Sequence, residues 1–195
     1  MITKNQVIDY LKINNPSVYY LWISQEDLVK NTELGNLGKL FADPNEHIQK
    51  DWINANTKLN VVKRDDFNDD PDLSGYDLIT TDNILKIQSK LRATDLHLEQ
   101  TRRTTGKNKK NSVSGQVRYS VGEADVYVFS RPDIENYLDI NKWEYIAIPE
   151  SSLIDPKNPS YLRARVPKSI WKNYVGKVRE ILENEYLNKK KQLNG

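Results

Sequence analysis

The chain contains no cysteine, which excludes disulfides and thiolate metal sites and fits a reducing compartment. It also lacks any apolar run near the roughly 18 residues a membrane span requires, and its opening MITKNQVIDY has no signal-peptide core. A cytoplasmic address is therefore expected. Only two histidines occur, His47 and His97, neither with a second His or Cys at ligand spacing, so a zinc site is not expected. Gly35 and Gly38 are too few, and sit in too helical a pattern, to form a phosphate-cradling loop. Charge of one sign is missing as well: 29 Lys and Arg against 27 Asp and Glu leave a net +2, so total charge selects no partner and its distribution has to.

What is present reads as one folded domain of 195 residues, polar at the surface but carrying enough Trp, Tyr and Leu for a core. Val7, Ile8 and Leu11 share a helical face, and Val18, Tyr19, Leu21 and Trp22 begin a second amphipathic segment after Pro16. Asp43-Pro44 supplies an N-cap and a first-turn proline for a helix through Ile48, Trp52 and Ile53. The pattern then turns extended. Strands are expected around Leu59 to Val62, Tyr76 to Thr80, Ile84 to Lys90, Leu96 to Gln100, Val117 to Val121, Val126 to Phe129 and Trp143 to Ile148, with Thr81-Asp82-Asn83 as a hairpin turn. A last helix is expected from about Ile170 to Leu187, ahead of the charged tail Lys189 to Lys191. Trp22, Trp52, Trp143 and Trp171 fall at apolar-periodic positions and read as core. The order implies an α/β or α+β fold with a central mixed sheet flanked by helices: a helical part over 1–56, the sheet over 57–150 and a helical C-terminal part over 151–195.

The most informative stretch pairs Asp77 with Gln88-Ser89-Lys90. In adjacent antiparallel strands, Asp77 at the start of one meets Gln88 to Lys90 near the end of the other. Period-two alternation then sends Gln88 and Lys90 to the same face. A carboxylate and neighbouring oxygens hold a hard divalent cation that keeps several waters, and a lysine stabilises developing negative charge. That is a group suited to phosphodiester hydrolysis.

Gly75-Tyr76-Asp77-Leu78-Ile79 followed by Lys86-Ile87-Gln88-Ser89-Lys90 resembles the PD-(D/E)xK nuclease superfamily in its QxK variant, known among restriction enzymes and in a homing endonuclease. More loosely, the strands Ala124 to Phe129 and Trp143 to Pro149 extend the likeness, so that it covers Glu46 to Pro149. The resemblance implies a restriction-endonuclease-like fold and a Mg2+ cofactor. Asp77 would be the metal-binding acid, Gln88 the second ligand, the main-chain carbonyl of Ser89 a third, and Lys90 the catalytic lysine. Many members add a glutamate from the preceding helix; Glu46 is the candidate here, with Glu33 behind it. The chain departs from the commonest pattern in having Gln for the second acid and Gly-Tyr, not Pro, before the first.

Between Gln100 and Gly122 stand Arg102, Arg103, Lys107, Lys109, Lys110 and Arg118 without one Asp or Glu. Duplex DNA demands such a positive surface, and arginine reads guanine bidentately in the major groove. Arg102 and Arg103 are candidates for base contacts; Lys107, Lys109 and Lys110, with Arg92 and Arg118, are candidates for the rest of the DNA surface. A solvated flexible loop is the plainer reading of the same residues. Arg163, Arg165 and Lys168 form a second basic group, and sequence does not separate DNA contact from solvent exposure there. Glu123 and Asp125 carry less weight as catalytic acids, an acid at a strand entry being more often structural. The expectation is thus a sequence-specific double-stranded DNA endonuclease of the type II restriction class, acting as a homodimer so that two sites address two strands. A non-catalytic DNA-binding protein, with Gln88 marking a lost metal site, and a homing or repair nuclease are the competing readings.

Overall fold

The computed structural model describes residues 4–14, 16, 42–64, 75–92, 95–98, 100–101, 116–117, 119–132 and 139–194. Helix α1 spans Lys4–Asn14 and buries Leu11, with Ile8 and Tyr10 packed at its edge. Helix α2 spans Ala42–Asn56, burying Ile48 and Ile53. Asp43 and Pro44 both stand within its first described turn. The segment around Val18 to Trp22, together with Glu33, Gly35 and Gly38, lies outside the described residues.

Five strands form the central sheet: β1 (Val61–Lys63), β2 (Leu78–Thr80), β3 (Lys86–Leu91), β6 (Val126–Arg131) and β7 (Glu144–Pro149), side by side in that order. β1, β2 and β3 run antiparallel in turn, β3 and β6 are parallel, and β6 and β7 antiparallel, so the sheet is mixed as expected. The two-residue strands β4 (Gln100–Thr101) and β5 (Gln116–Val117) pair with each other. The β2–β3 turn forms where expected. Asn83 takes φ 64, a left-handed conformation that asparagine tolerates better than most residues, and Thr80 Oγ1 accepts from the amides of Ile84 and Leu85.

Period-two alternation divides the core into two layers. One face carries Leu78, Leu85, Ile87, Val126, Val128 and Ala147 against α1, α2 and the C-terminal helix α4 (Val178–Asn194). The other carries Ile79, Tyr127, Phe129, Ile146 and Ile148 beneath irregular chain contributing Leu96, Leu98, Tyr119, Leu153, Leu162 and Val166. The described elements thus build one α+β domain around the five-stranded sheet. No helix among them is long and apolar enough to cross a membrane.

Several elements differ from the pattern-based reading. The extended run from Leu96 keeps its alternation, with Leu96 and Leu98 buried, but it does not join the central sheet; His97 instead bridges to Arg165. Val117 to Val121 is no continuous strand either, being β5 followed by a bridge at Ser120. The expected C-terminal helical part contains a hairpin of β8 (Ile154–Asp155) and β9 (Asn158–Leu162). Its helix is also broken: α3 (Lys168–Trp171) runs into a 3-10 turn at Lys172–Tyr174, and Gly176 at φ +73 reverses the chain before α4. Left-handed glycine is a common helix terminator, and the helical periodicity continues through the interruption, which hides it in the sequence. Trp52, stacked on Tyr145 at 4.9 Å, and buried Trp143 belong to the core as expected; Trp171 is half-buried beneath the Arg131 guanidinium at 4.8 Å.

Candidate active site

The register of β2 on β3 pairs Leu78 with Ile87, and the Asp77 amide donates to the Ile87 carbonyl, which sets Asp77 opposite Gln88. Leu78 and Ile87 point to the helix layer. Asp77, Gln88 and Lys90 therefore project together on the opposite face. Asp77 Oδ2 accepts from the Ser89 amide at 2.8 Å and from Gln88 Nε2. Gln88 Nε2 also donates to the Ser89 carbonyl at 3.3 Å, so the amide nitrogen bridges two acceptor oxygens. The other amide atom, Gln88 Oε1, is buried without a hydrogen-bond partner. Ser89 turns the other way, its hydroxyl accepting from Asn45 Nδ2 of α2 at 2.8 Å.

Electrostatics bind the three side chains into one unit. Burial raises the Asp77 carboxyl above its ordinary range, opposed by the positive charge of Lys90, the Ser89 amide, and then Lys63 and Arg64. Burial lowers Lys90 from 10.5 to about 8, opposed chiefly by Asp77 and also by Glu46 and Glu123. Its ammonium lies 4.9 Å over the Tyr119 ring, a cation–π contact that partly replaces lost hydration. A lysine so placed exchanges its proton near neutral pH, which an ordinary surface lysine does not.

The remaining candidates are distributed differently. Glu46 pairs with Lys63 Nζ at 3.1 Å, one residue removed from the trio, although its charge reaches Lys90. Arg92 donates from Nε to the His97 carbonyl at 2.9 Å and from a terminal nitrogen to the Leu91 carbonyl at 2.7 Å. It is half-buried, and those bonds tie the 95–98 segment to the end of β3. Arg102, Arg103, Lys107, Lys109, Lys110 and Arg118 lie outside the described residues. Asp125 is structural: it accepts from the Lys86 amide at 2.7 Å and from Lys189 of α4.

Other residues beside the trio carry little signal in the sequence. Glu123 holds the Ser120 amide at 2.9 Å, and a Cβ on Gly75 would meet its Oε2 at 2.0 Å, so glycine at 75 is what lets this acid approach the strand carrying Asp77. Tyr127 is paired with Gln88 across β3 and β6, and its hydroxyl is buried with no partner. Its pKa is pushed far upward by burial, then by Glu150, Tyr119, Glu123 and Asp77, so it stays a neutral phenol. Lys63 and Arg64 sit at the end of β1, and Arg64 covers the Tyr76 ring at 5.5 Å. Alternation of Val and Tyr announces a strand at 126–129 but not that a phenol lies beside an amide 39 positions earlier.

Among the described residues no cluster of three or more His, Cys, Asp or Glu forms a metal cage. An oxygen-liganded cation is nevertheless compatible with the donor set. The Gln88 amide group already spans Asp77 Oδ2 and the Ser89 carbonyl, and rotating it exchanges its NH2 for the unpartnered Oε1. Three oxygens, one of them charged, suit Mg2+, which retains several waters. No protein-family model matches the chain, and no curated protein or solved structure is similar enough to match it.

Proposed function

We propose that the protein is a Mg2+-dependent endonuclease cleaving double-stranded DNA, a cytoplasmic restriction-type enzyme of the PD-(D/E)xK kind that acts as a homodimer on a specific site. One observation carries this: Asp77, Gln88 and Lys90 converge on one sheet face around a carboxylate oxygen, a main-chain carbonyl and an orphaned amide oxygen. Asp77, Gln88 Oε1 and the Ser89 carbonyl would hold the cation, which when bound supplies charge to polarise a phosphate and acidify water. Lys90 below about pH 8 is an ammonium fixed in a desolvated site, where it stabilises negative charge growing on the phosphate more strongly than in water. The Tyr119 ring lies under its ammonium, Phe129 is its partner in register on β6, and Asp77 opposes the effect of burial on its charge.

A second reading is favoured by the contact of Gln88 Nε2 with Asp77, which closes the carboxylate without a metal: a DNA-binding protein on this fold that does not cleave. Incubation of plasmid DNA with Mg2+ or with EDTA separates them. The endonuclease gives discrete fragments with Mg2+ and none with EDTA, and Asp77→Ala and Lys90→Ala each lower the rate by about 100-fold or more. Binding without cleavage across metals and substrates sinks the enzymatic reading.

A further inference from the structure

Residues 153–177 cover the sheet face that carries the trio. Leu153, Leu162 and Val166 are buried with Tyr119, Tyr127 and Phe129, while 156–161 and Arg165 are exposed. Main-chain bonds stitch this strap to two other segments. Leu98 donates to Ala164 and Val166 to Leu96, both at 2.9 Å, while Leu162 donates to Tyr119 at 2.9 Å and Val121 to Ser160 at 3.1 Å. Tyr119 is the ring under the Lys90 ammonium, so one side chain separates the strap from that amine.

The strap is basic. From Pro156 to Val178 stand Lys157, Arg163, Arg165, Lys168, Lys172 and Lys177, with no Asp or Glu. Five of them are exposed; Arg163 is half-buried with Nε lacking a partner. Among the described residues none of the six forms an ion pair, whereas Arg179 and Lys189 of the neighbouring α4 are matched by Glu183 and Asp125. The segment it is stitched to, 100–122, is the other long acid-free stretch of the chain. Together the two hold twelve of the 29 Lys and Arg and none of the 27 Asp and Glu. The 119–121 to 160–162 hydrogen bonds join the strap to the described end of that stretch. Exposed strap cations without an ion pair attract a polyanion that releases counterions on contact.

We propose that the strap is a phosphate-backbone contact surface for duplex DNA, with Arg165, Lys168 and Lys172 as its outward contacts, holding the duplex across the Lys90 face. The choice of DNA as the polyanion rests on the proposed phosphodiester chemistry of that face; the surface itself does not require cleavage. The test uses the full chain in EDTA, a short fluorescent duplex and anisotropy titrations over a range of salt, comparing wild type with R165Q/K168Q/K172Q and with Lys191→Gln. Because the three side chains are exposed, the triple variant should melt as wild type does. Its Kd should rise by about tenfold or more, and the slope of log K against log salt should fall by about 3, near 0.9 for each phosphate no longer neutralised. Lys191→Gln, at an exposed cation of α4 outside the strap, should keep the wild-type slope. An unchanged Kd and slope in the triple variant overturns the strap as a contact surface and leaves the nuclease reading standing. Strap-dependent binding by a wild type that never cleaves with Mg2+ supports the strap and overturns the nuclease. Wild type that binds anionic phosphatidylserine vesicles through these residues, and no duplex, overturns the DNA assignment.

Discussion

The two faces of the central sheet are both well packed, yet they treat polar groups in opposite ways. On the helix side, buried Gln49 of α2 spends one amide nitrogen on three acceptors: Ser130 Oγ at 2.7 Å, the Val128 carbonyl at 3.1 Å and the Lys90 carbonyl at 3.3 Å. Asn45 does the same for Ser89 one turn earlier. These are neutral groups bonded to neutral groups, and they fix how α2 sits across β3 and β6. On the strap side the polar groups are ionisable, Asp77 raised and Lys90 lowered by burial, with amide and phenol oxygens left unpartnered. Asn45 Oδ1 and Gln49 Oε1 are also buried without a partner, so the contrast between the faces lies in charge: neutral donor–acceptor pairs stabilise a fold, whereas desolvated ionisable groups cost stability and persist where they serve chemistry. The same β3 strand serves both, alternating Ser89 to one side with Gln88 and Lys90 to the other.

The largest expected break in this contrast is Gln49→Ala. It strips three acceptors of a donor and opens a cavity, so urea unfolding should show a loss of about 3 kcal/mol; a loss near zero would mean that α2 is held by its apolar residues alone. Next comes Gly75→Ala on the strap side, where the new methyl meets Glu123 Oε2 at 2.0 Å and Glu123 Cβ at 2.6 Å. Thermal denaturation should report about 1–3 kcal/mol of destabilisation, recovered only in part by adding Glu123→Ala, which removes the carboxylate but keeps the Cβ.

The smallest effect is a pH dependence carried by Lys90. Its folded pKa of about 8 lies below the ordinary 10.5, so between those values the unfolded chain binds the extra proton. The penalty for burying the ammonium is complete below about pH 8 and fades as pH rises toward 10.5. Stability from this group therefore increases with pH, by about 1 kcal/mol from pH 7 to 9. The difference between wild type and Lys90→Met in urea midpoints over that window should carry this slope; parallel curves would show an unshifted lysine.

How much of the molecule is legible in its sequence depends on the range of each interaction. Asp77, Gln88 and Lys90 are readable because a turn of known chemistry joins two alternating strands, and alternation alone puts the three on one side. The strands β6 and β7 are equally plain from their apolar runs. Gln49 is not, since its partner Ser130 lies 81 positions away and nothing near residue 49 marks a buried amide. Glu123 reads as a strand-entry acid, and its nearness to Asp77 depends on the open backbone of Gly75. The strap reads as helix only because helical spacing of apolar residues resumes at Ile170, while the hairpin before it has strands too short and too exposed to alternate.

Local periodicity, turn residues and charge spacing were thus enough to determine the central-sheet strands and the β2–β3 turn, the facing of the three chemical side chains and the existence of two acid-free stretches. Which elements stack, which buried polar atoms find partners, how far burial moves two ionisable groups and that the 119–121 segment lies against 160–162 were decided by tertiary packing. The physical reason is that propensity and alternation act over a few residues, whereas desolvation and hydrogen bonding depend on neighbours that only the folded chain brings within reach.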